Sequence, residues 1–467
     1  MTVPAYAIRI ALGSDRTDTT DALDRMAAQG WRVTSPAPGI ELATKGAGGL
    51  CRVGDLIVAG MAFLDEGTPA AETATSEDAS ADLAHAAHLR ADQGPCFVEA
   101  LSGSFALVVV DLATGVIEGY RDHLGVYPFL YTVQDGVLTC ASDPRSVLHL
   151  SGAPIAPEPT RIADFLAGDE VDAELTAFAG LRRLPSAHHL RMDSAGLEIT
   201  RYWRLDPPAP SPVPDAARKV HNRLQAATRA RLRGDAPTGA MLSGGLDSSS
   251  LACLAALQRQ ERQEPPLQTL SFVYPGKPYD ESTYIEAVTE AHHVAPHLME
   301  ITAPPDVGIL RVILEEQMDF FNAPGLMKSR RIYHEASALG LGYILDGHGG
   351  DEVISMGYNR PLELAARRRW WALLMTLRVV SPATGLGFWG AYFAYIARYG
   401  GLSERSLVRR ILMRIVSRIF SGERRLTRFR PASDLVDPAL RAELDAETRY
   451  APPPQLTERA DQLNAEQ

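Results

Sequence analysis

Apolar and polar positions divide the chain into two stretches with different periods. Up to about residue 206, short β-branched runs alternate with turn residues: Ile8 and Ile10, Leu56 to Met61, Phe105 to Val110, Val116 to Tyr120, and Val137 to Cys140. Short β-branched runs separated by turns such as Thr114-Gly115 and Asp135-Gly136 predict antiparallel strands, and the second dipeptide predicts a tight hairpin. One helix is expected over Ser80 to Asp92. The mixture predicts an α+β unit.

Beyond residue 215 the period changes. Ala217, Val220, Leu224 and Ala227 recur at spacings of three and four, which predicts a one-faced helix ending near Gly234. Ala240-Met241-Leu242 reads as a strand, Ser248 to Arg259 as a helix, Leu270 to Val273 as a strand, Glu281 to His292 as a helix, and Tyr343 to Leu345 as a strand. Strands alternating with helices predict an α/β unit whose parallel sheet is covered on both faces. Between the two stretches, Pro207 to Pro214 holds five prolines in eight residues, the composition of a semi-rigid extended linker. The expected organisation is therefore a first domain over 1–206, a linker over 207–214, and a second domain over 215–467.

Composition narrows the function classes. The 467 residues suffice for two or three domains, and 46% hydrophobic with 22% charged residues is the balance of a soluble globular protein. A net charge of −11 argues against a general nucleic-acid binder. Cys51, Cys96, Cys140 and Cys253 show neither CxxC nor zinc-finger spacing, which predicts reduced thiols in a cytoplasmic protein. Met1 to Ile10 lacks the pattern of a signal peptide. The apolar stretch Trp370 to Ile396 is interrupted by Arg378 and by a turn expected at Ser381 to Gly385, so no stable membrane insertion is expected. Residues 361–430 carry fourteen arginines against three glutamates. Arg410, Arg414 and Arg418 stand four apart, as a solvated basic helix face requires, and such a face also attracts acidic partners.

The candidate chemistry lies in two glycine-rich runs, each after a predicted strand. In Met241-Leu242-Ser243-Gly244-Gly245-Leu246-Asp247-Ser248-Ser249, adjacent glycines let several backbone N–H groups converge on one anion. Ser248 and Ser249 are expected to open a helix, whose N-terminal end favours negative charge. Ser243, Ser248 and Ser249 supply hydroxyl donors for phosphate. A carboxylate beside phosphates is repulsive unless a cation separates them, so Asp247 predicts magnesium. There is no Gly-Lys-Ser/Thr triplet, so this is not a Walker loop. The second run is Asp346-Gly347-His348-Gly349-Gly350-Asp351-Glu352, with a second acidic candidate, Asp351, for the metal.

The Ser-Gly-Gly-x-Asp-Ser pattern resembles the pyrophosphate loop (PP-loop) of the N-type ATP pyrophosphatases, an adenine nucleotide α-hydrolase-like fold. Together with Gly347 to Glu352, Gly357-Tyr358 and Asp280-Glu281, it makes the chain similar to the asparagine synthetase family. Gly103-Ser104-Phe105-Ala106, Arg121-Asp122-His123-Leu124-Gly125 and Ala141-Ser142-Asp143 resemble that family's Ntn-hydrolase-like glutaminase domain, a sandwich fold. The resemblance implies that ATP is held by Leu242, Ser243, Gly244, Gly245, Asp247, Ser248, Ser249, Ser271, Phe272, Gly347 and Gly349. It implies further that Asp247 and Asp351 bind Mg2+ and act in catalysis. His348 is a candidate base by position, or else a loop residue making a structural hydrogen bond.

Three departures from the family pattern shape the expected function. The chain starts Met1-Thr2-Val3-Pro4 with no cysteine before Cys51, so a glutaminase nucleophile is not expected. The run Asp346 to Glu352 is similar to that of lasso peptide cyclases, which adenylylate an Asp or Glu side chain of a ribosomal precursor peptide and close a macrolactam with its N-terminal amine. Between Pro431 and Gln467 nothing matches the family's C-terminal motif with its charge-stabilising lysine, which leaves the C-terminus divergent or incomplete. The expected partners are the precursor peptide, a leader peptidase and a leader-binding protein. Ammonia-dependent asparagine synthesis, a β-lactam-synthetase-like reaction, and a catalytically silent ATP- or peptide-binding relative stay open as alternatives.

Overall fold

The computed structural model describes residues 5–11, 20–46, 48–65, 80–167, 172–205, 213–232, 237–301, 308–320, 325–350 and 360–384, with isolated positions between 389 and 396. Met1 to Pro4, most of the proline-rich segment, Asp351, Glu352, Gly357, Tyr358 and the arginines beyond 396 lie outside the described residues.

The first half runs β1 (Ala5–Ile10), α1 (Thr20–Ala28), β2 (Arg32–Ala37), β3 (Ile40–Lys45), β4 (Gly49–Val53), β5 (Leu56–Leu64) and α2 (Ala81–Gln93). It continues through β6 (Gly103–Asp111), β7 (Val116–Arg121), β8 (Leu130–Gln134), β9 (Val137–Ala141), α3 (Pro144–Ser151), α4 (Pro159–Ala167), β10 (Arg182–Arg183), β11 (His188–Asp193) and β12 (Gly196–Arg201). Two antiparallel six-stranded sheets form, ordered β10-β8-β9-β1-β3-β2 and β12-β11-β7-β6-β5-β4. Strand alternation explains how they stack. Ile8, Ile10, Ile57, Ala59, Ala106, Val108 and Val110 meet between the sheets. Their neighbours Val58, Phe105, Leu107 and Val109 point outward under Leu83 and Ala87 of α2. Ala7, Ala43 and Ala141 point the other way, under Met26 of α1 and Val147 of α3. The result is a helix–sheet–sheet–helix sandwich, and strands buried on both faces read as continuous apolar runs.

Local chemistry fixes its details. Asp135 and Gly136 take φ of 49° and 77°, the two left-handed positions of a primed turn, and join β8 to β9 as the dipeptide predicts. Ser80 caps α2 by accepting from the Leu83 N–H at 3.2 Å.

The second half opens with α5 (Ala216–Arg231), then β13 (Thr238–Met241), α6 (Leu246–Glu261), β14 (Leu267–Val273), α7 (Ser282–Ala291), β15 (Val294–Glu300), α8 (Gly308–Gln317), α9 (Leu326–Ala338) and β16 (Tyr343–Leu345). The strands form a parallel sheet ordered β15-β14-β13-β16. Ala240, Leu242, Ala252, Ala256 and Ile285 pack α6 and α7 on one face, while Leu270, Met299, Ile332 and Ala336 pack α9 on the other. β13 is the switch point: the chain reaches β14 on one side of it and β16 on the other. Crevices outside the carboxyl ends of strands at such a point are where open α/β sheets bind ligands.

Three expectations need correction. α6 begins at Leu246 with Gly245 as its N-cap, so Ser248 and Ser249 lie inside its first turn. The apolar stripe of α5 is not a buried face among the described residues: Ala217, Val220 and Ala227 are exposed, and the helix is tied to α6 by the Gln258 side chain donating to the Gln225 carbonyl. The turn expected at Ser381 to Gly385 is helical to its fourth residue, because the helix Trp370–Thr384 runs through Pro382. At fifteen residues that helix is short, and no helix among the described residues is long and apolar enough to cross a membrane.

Candidate functional site

The carboxyl end of β13 becomes a turn that its own side chains hold shut. The Ser243 N–H donates to Ser248 Oγ at 3.1 Å, and the two hydroxyl oxygens lie 2.8 Å apart. The Gly245 N–H donates to Ser243 Oγ at 3.3 Å. Ser248 also donates to the Gly245 carbonyl, 3.4 Å away. Gly244 stands at φ 86°, where a side chain would be strained, and a Cβ there would come within 3.1 Å of Glu281 Cβ and 3.0 Å of Tyr284 Cβ. The loop is therefore pressed on one side by the start of α7 and needs glycine at that position.

The loop after β16 closes on the other side. A Cβ on Gly347 would meet the Ser248 amide nitrogen at 2.8 Å and Asp247 Cβ at 3.1 Å. A Cβ on Gly350 would fall on the Asp247 carboxylate itself. Only a bare backbone approaches so closely. The two glycine-rich runs, about a hundred residues apart in sequence, are thus in contact across the start of α6. Met241, Ser243, Gly245, Asp247, Ser248, Asp346, Gly347, His348 and Gly349 line a cavity of about 600 Å³ there. That is the range of small-molecule sites.

The electrostatics of the cavity favour an anion with a cation beside it. The N-terminal end of α6 points at it, and Ser243 and Ser248 line it. No hydrogen bond or ion pair to a described residue engages the Asp247 carboxylate, and partial exposure leaves it facing the cavity. An uncompensated carboxylate among anion-binding groups fits a divalent cation that a polyanion also binds. Among the described residues no group of three or more acidic, histidine or cysteine side chains forms a complete metal cage. Of the described residues, Asp247 is the one that would hold a magnesium ion here; Asp351 lies outside them. His348 is exposed at the mouth, with Nδ1 3.0 Å from Asp346 Oδ2, and its N–H donates to Asp346 Oδ1 at 3.1 Å. Asp346 so holds the ring by Nδ1, and no hydrogen bond to a described residue engages Nε2.

The other candidates occupy distinct places. Leu242 is buried in the core under α6, and its N–H donates to the Leu270 carbonyl at 3.0 Å. The Ser249 and Ser271 hydroxyls are buried without a hydrogen-bond partner among the described residues, and Phe272 packs on the α9 face. None of these lines the cavity, nor does Gly244. Met241 and Asp346 do line it and were not singled out from the sequence. Their signal was present: each is a strand-end residue beside a glycine-rich turn, on adjacent strands.

At the ends of β14 and α7, Asp280 accepts from the Tyr274 N–H at 2.9 Å and from the Ser282 hydroxyl at 2.7 Å. These two bonds, the Tyr274 N–H foremost, hold the Asp280 carboxyl below its ordinary value of 3.8. In the sandwich, burial raises the thiols of Cys51 and Cys140, the reverse of what a nucleophilic cysteine needs.

Comparison with known proteins gives two family matches. The asparagine synthase model matches residues 219–463, and the glutamine amidotransferase domain model matches residues 73–203. Asparagine synthetase [glutamine-hydrolyzing] 3 of Bacillus subtilis is 29% identical over 212 residues, covering 43% of this chain and 34% of that protein. A putative asparagine synthetase [glutamine-hydrolyzing] 2 of Methanocaldococcus jannaschii is 27% identical over 272 residues, covering 56% of this chain and 50% of that protein. Asparagine synthetase B [glutamine-hydrolyzing] of Escherichia coli is 26% identical over 287 residues, covering 57% and 45%. The matches span a third to a half of the length of these relatives.

Proposed function

Because the chain belongs to the asparagine synthase family, we propose that it is an ATP-dependent carbon–nitrogen ligase that adenylylates a carboxylate and transfers the acyl group to an amine. The observation that carries this reading is the Asp247 carboxylate, unpaired with any described residue, beside the Ser243 and Ser248 hydroxyls, the start of α6 and the Gly347 to Gly349 backbone in one cavity. The β13–α6 turn acts as the PP-loop. Ser243, Gly245 and Ser248 hold the phosphates and Asp247 holds magnesium, with Asp351 as the second metal ligand by resemblance. Magnesium supplies charge neutralisation between the phosphates. The substrate carboxylate attacks the α phosphorus, the α–β phosphoanhydride bond breaks, and pyrophosphate leaves. The amine then attacks the acyl-adenylate, AMP leaves, and a base takes the amine proton. His348, held by Asp346 with Nε2 free, is that base. Most of the rate enhancement is electrostatic stabilisation of phosphate charge in a preorganised site.

The finer reading is a macrolactam synthetase acting on a precursor peptide, with an Asp or Glu side chain as acyl donor and the peptide's own amine as acceptor. It rests on the run Asp346 to Glu352 and on the buried thiols Cys51 and Cys140, neither suited to releasing ammonia from glutamine. A leader peptidase and a leader-binding protein are the proposed pathway partners. Asparagine formation is the second reading, favoured by the likeness to asparagine synthetases. Mass spectrometry of a candidate precursor incubated with protein, ATP and Mg2+ separates the two. Loss of one water from the peptide with release of AMP and pyrophosphate supports the macrolactam. An unchanged peptide, with asparagine made from aspartate and ammonia, refutes it.

A further inference from the structure

We infer that the N-terminal sandwich braces the ATP cavity, with Asp319 as the positioning residue through which it acts. The brace rests on the proposed ATP site for its catalytic consequence, though not for its structural one.

The segment joining α8 to α9 belongs by sequence to the second unit but is seated on the first. Arg145 of α3 donates to the Glu315 carbonyl at 3.2 Å. Met318 takes a left-handed φ of 52° and packs against the cluster formed by Ala7, Val147 and Leu181. Asp319 receives Arg183 Nη2 at 2.6 Å and lies 3.6 Å from Arg161 Nε. Phe320 stacks on Phe165, with centroids 4.8 Å apart and planes 20° from parallel. Arg161 and Phe165 stand four apart on α4 and so present one face to this segment. The Arg161 side chain is 3% exposed and the Asp319 side chain 11%, so the clamp is largely shielded from water. Asp319 thus places one carboxylate between the Arg161 and Arg183 guanidinium groups, and its removal takes that shared charge partner from both.

Beyond the clamp, the chain goes on to α9, which packs behind the strands whose ends line the cavity. Glu316 at the end of α8 accepts Arg330 Nε at 2.9 Å and Nη2 at 2.7 Å, which ties α8 to α9. Ile332 and Ala336 seat α9 in the same cluster as Met241, which lines the cavity. Ile344 of β16, two residues before Asp346, packs against the same cluster. Position is therefore passed from the sandwich through Asp319 to α9, and from α9 to the β13 and β16 ends. The phosphate donors sit in the Ser243 to Ser248 turn, which its own hydrogen bonds hold shut, and no hydrogen bond or ion pair joins that turn to the clamp among the described residues.

The test uses the full chain with Asp319→Asn, which keeps shape and removes charge, and Arg183→Lys, which keeps charge. Hydrogen–deuterium exchange is expected to rise in the α9 peptides 326–338 of Asp319→Asn and to stay unchanged in α6 peptides 246–261. Mg·ATP affinity should stay within about twofold, while pyrophosphate release falls about tenfold to a hundredfold, the scale of a misplaced wall. Arg183→Lys should keep most of the wild-type rate and the α9 protection. Unchanged α9 exchange with unchanged turnover in Asp319→Asn would overturn the inference. So would loosening of α6 and α9 together with lost Mg·ATP binding, which marks a merely structural residue. If the wild type releases no pyrophosphate, the ligase reading fails, and the exchange pattern alone then decides the brace.

Discussion

Gly350→Ala is the substitution whose consequence is read most directly from the geometry. The added methyl would land on the Asp247 carboxyl group, 2.6 Å from one oxygen and 2.8 Å from the other. Non-bonded carbon contacts settle near 3.5–4.0 Å, so the carboxylate or the loop must retreat by roughly 1 Å. A misplacement of about 1 Å costs on the order of a hundredfold in rate, or about 2.7 kcal/mol at about 1.36 kcal/mol per tenfold. Folding should be nearly untouched, because the clash is with a side chain at the rim of a cavity and not with the core. The assay is pyrophosphate release with Mg·ATP and an accepted carboxylate substrate, beside a thermal melt. Gly325→Ala is the control: a Cβ there meets nothing within 4 Å and the backbone is not left-handed. The expected result is a loss near a hundredfold in Gly350→Ala, wild-type rate in Gly325→Ala, and melting points within a few degrees of each other. A Gly350→Ala protein with wild-type turnover would refute the placement of Asp247 at the reacting phosphates.

Other perturbations test other parts of the site. Ser248→Ala removes the acceptor of the Ser243 N–H, and should cost about 1–3 kcal/mol of stability by denaturant titration while raising KM for ATP. His348→Ala and Asp346→Asn should each lower kcat with little change in Mg·ATP affinity, His348→Ala by about 10²–10⁴-fold if it is the base; equal turnover of His348→Ala and wild type would return His348 to a structural role. The Asp280 carboxyl is depressed in the folded chain, so its stabilisation is present above its unfolded value near 3.8 and is lost as pH falls through the lower folded value. The stability gap between wild type and Asp280→Asn should therefore be full at neutral pH and close on acidification below about pH 4, as read by urea melts at stepped pH.

Much of this was legible before the structure. Asp135-Gly136 specified its hairpin because few dipeptides populate two left-handed positions, and the β13–α6 loop was marked by two glycines between a short apolar run and a helical period. Five strands of the sandwich, β1, β5, β6, β7 and β9, could be seen in the sequence, but not the other seven nor the order of any, since pairing such as β1 with β9 joins residues more than a hundred apart. β15 escaped notice because Pro296 lies inside it; it is an edge strand, where proline is tolerated. The sequence of α9 is polar, and the structure buries only Ile332 and Ala336 of it among thirteen residues. The apolar pattern of α5 misled in the opposite direction, since Ala217, Val220 and Ala227 of its stripe stay exposed and only Leu224 is half-buried. Asp346 as partner of His348 required knowing that the loop folds back within two residues, and the Asp319 clamp required the packing of two units.

On this reading the cavity between the two glycine-rich loops holds a metal-bound triphosphate through Asp247. Calorimetric titration of Mg·ATP into the wild type and Asp247→Ala measures this without any second substrate. Saturable binding to the wild type, dependent on Mg2+ and weakened at least tenfold in Asp247→Ala, is the predicted result. No binding to the wild type, or equal affinity in the two proteins, would contradict it.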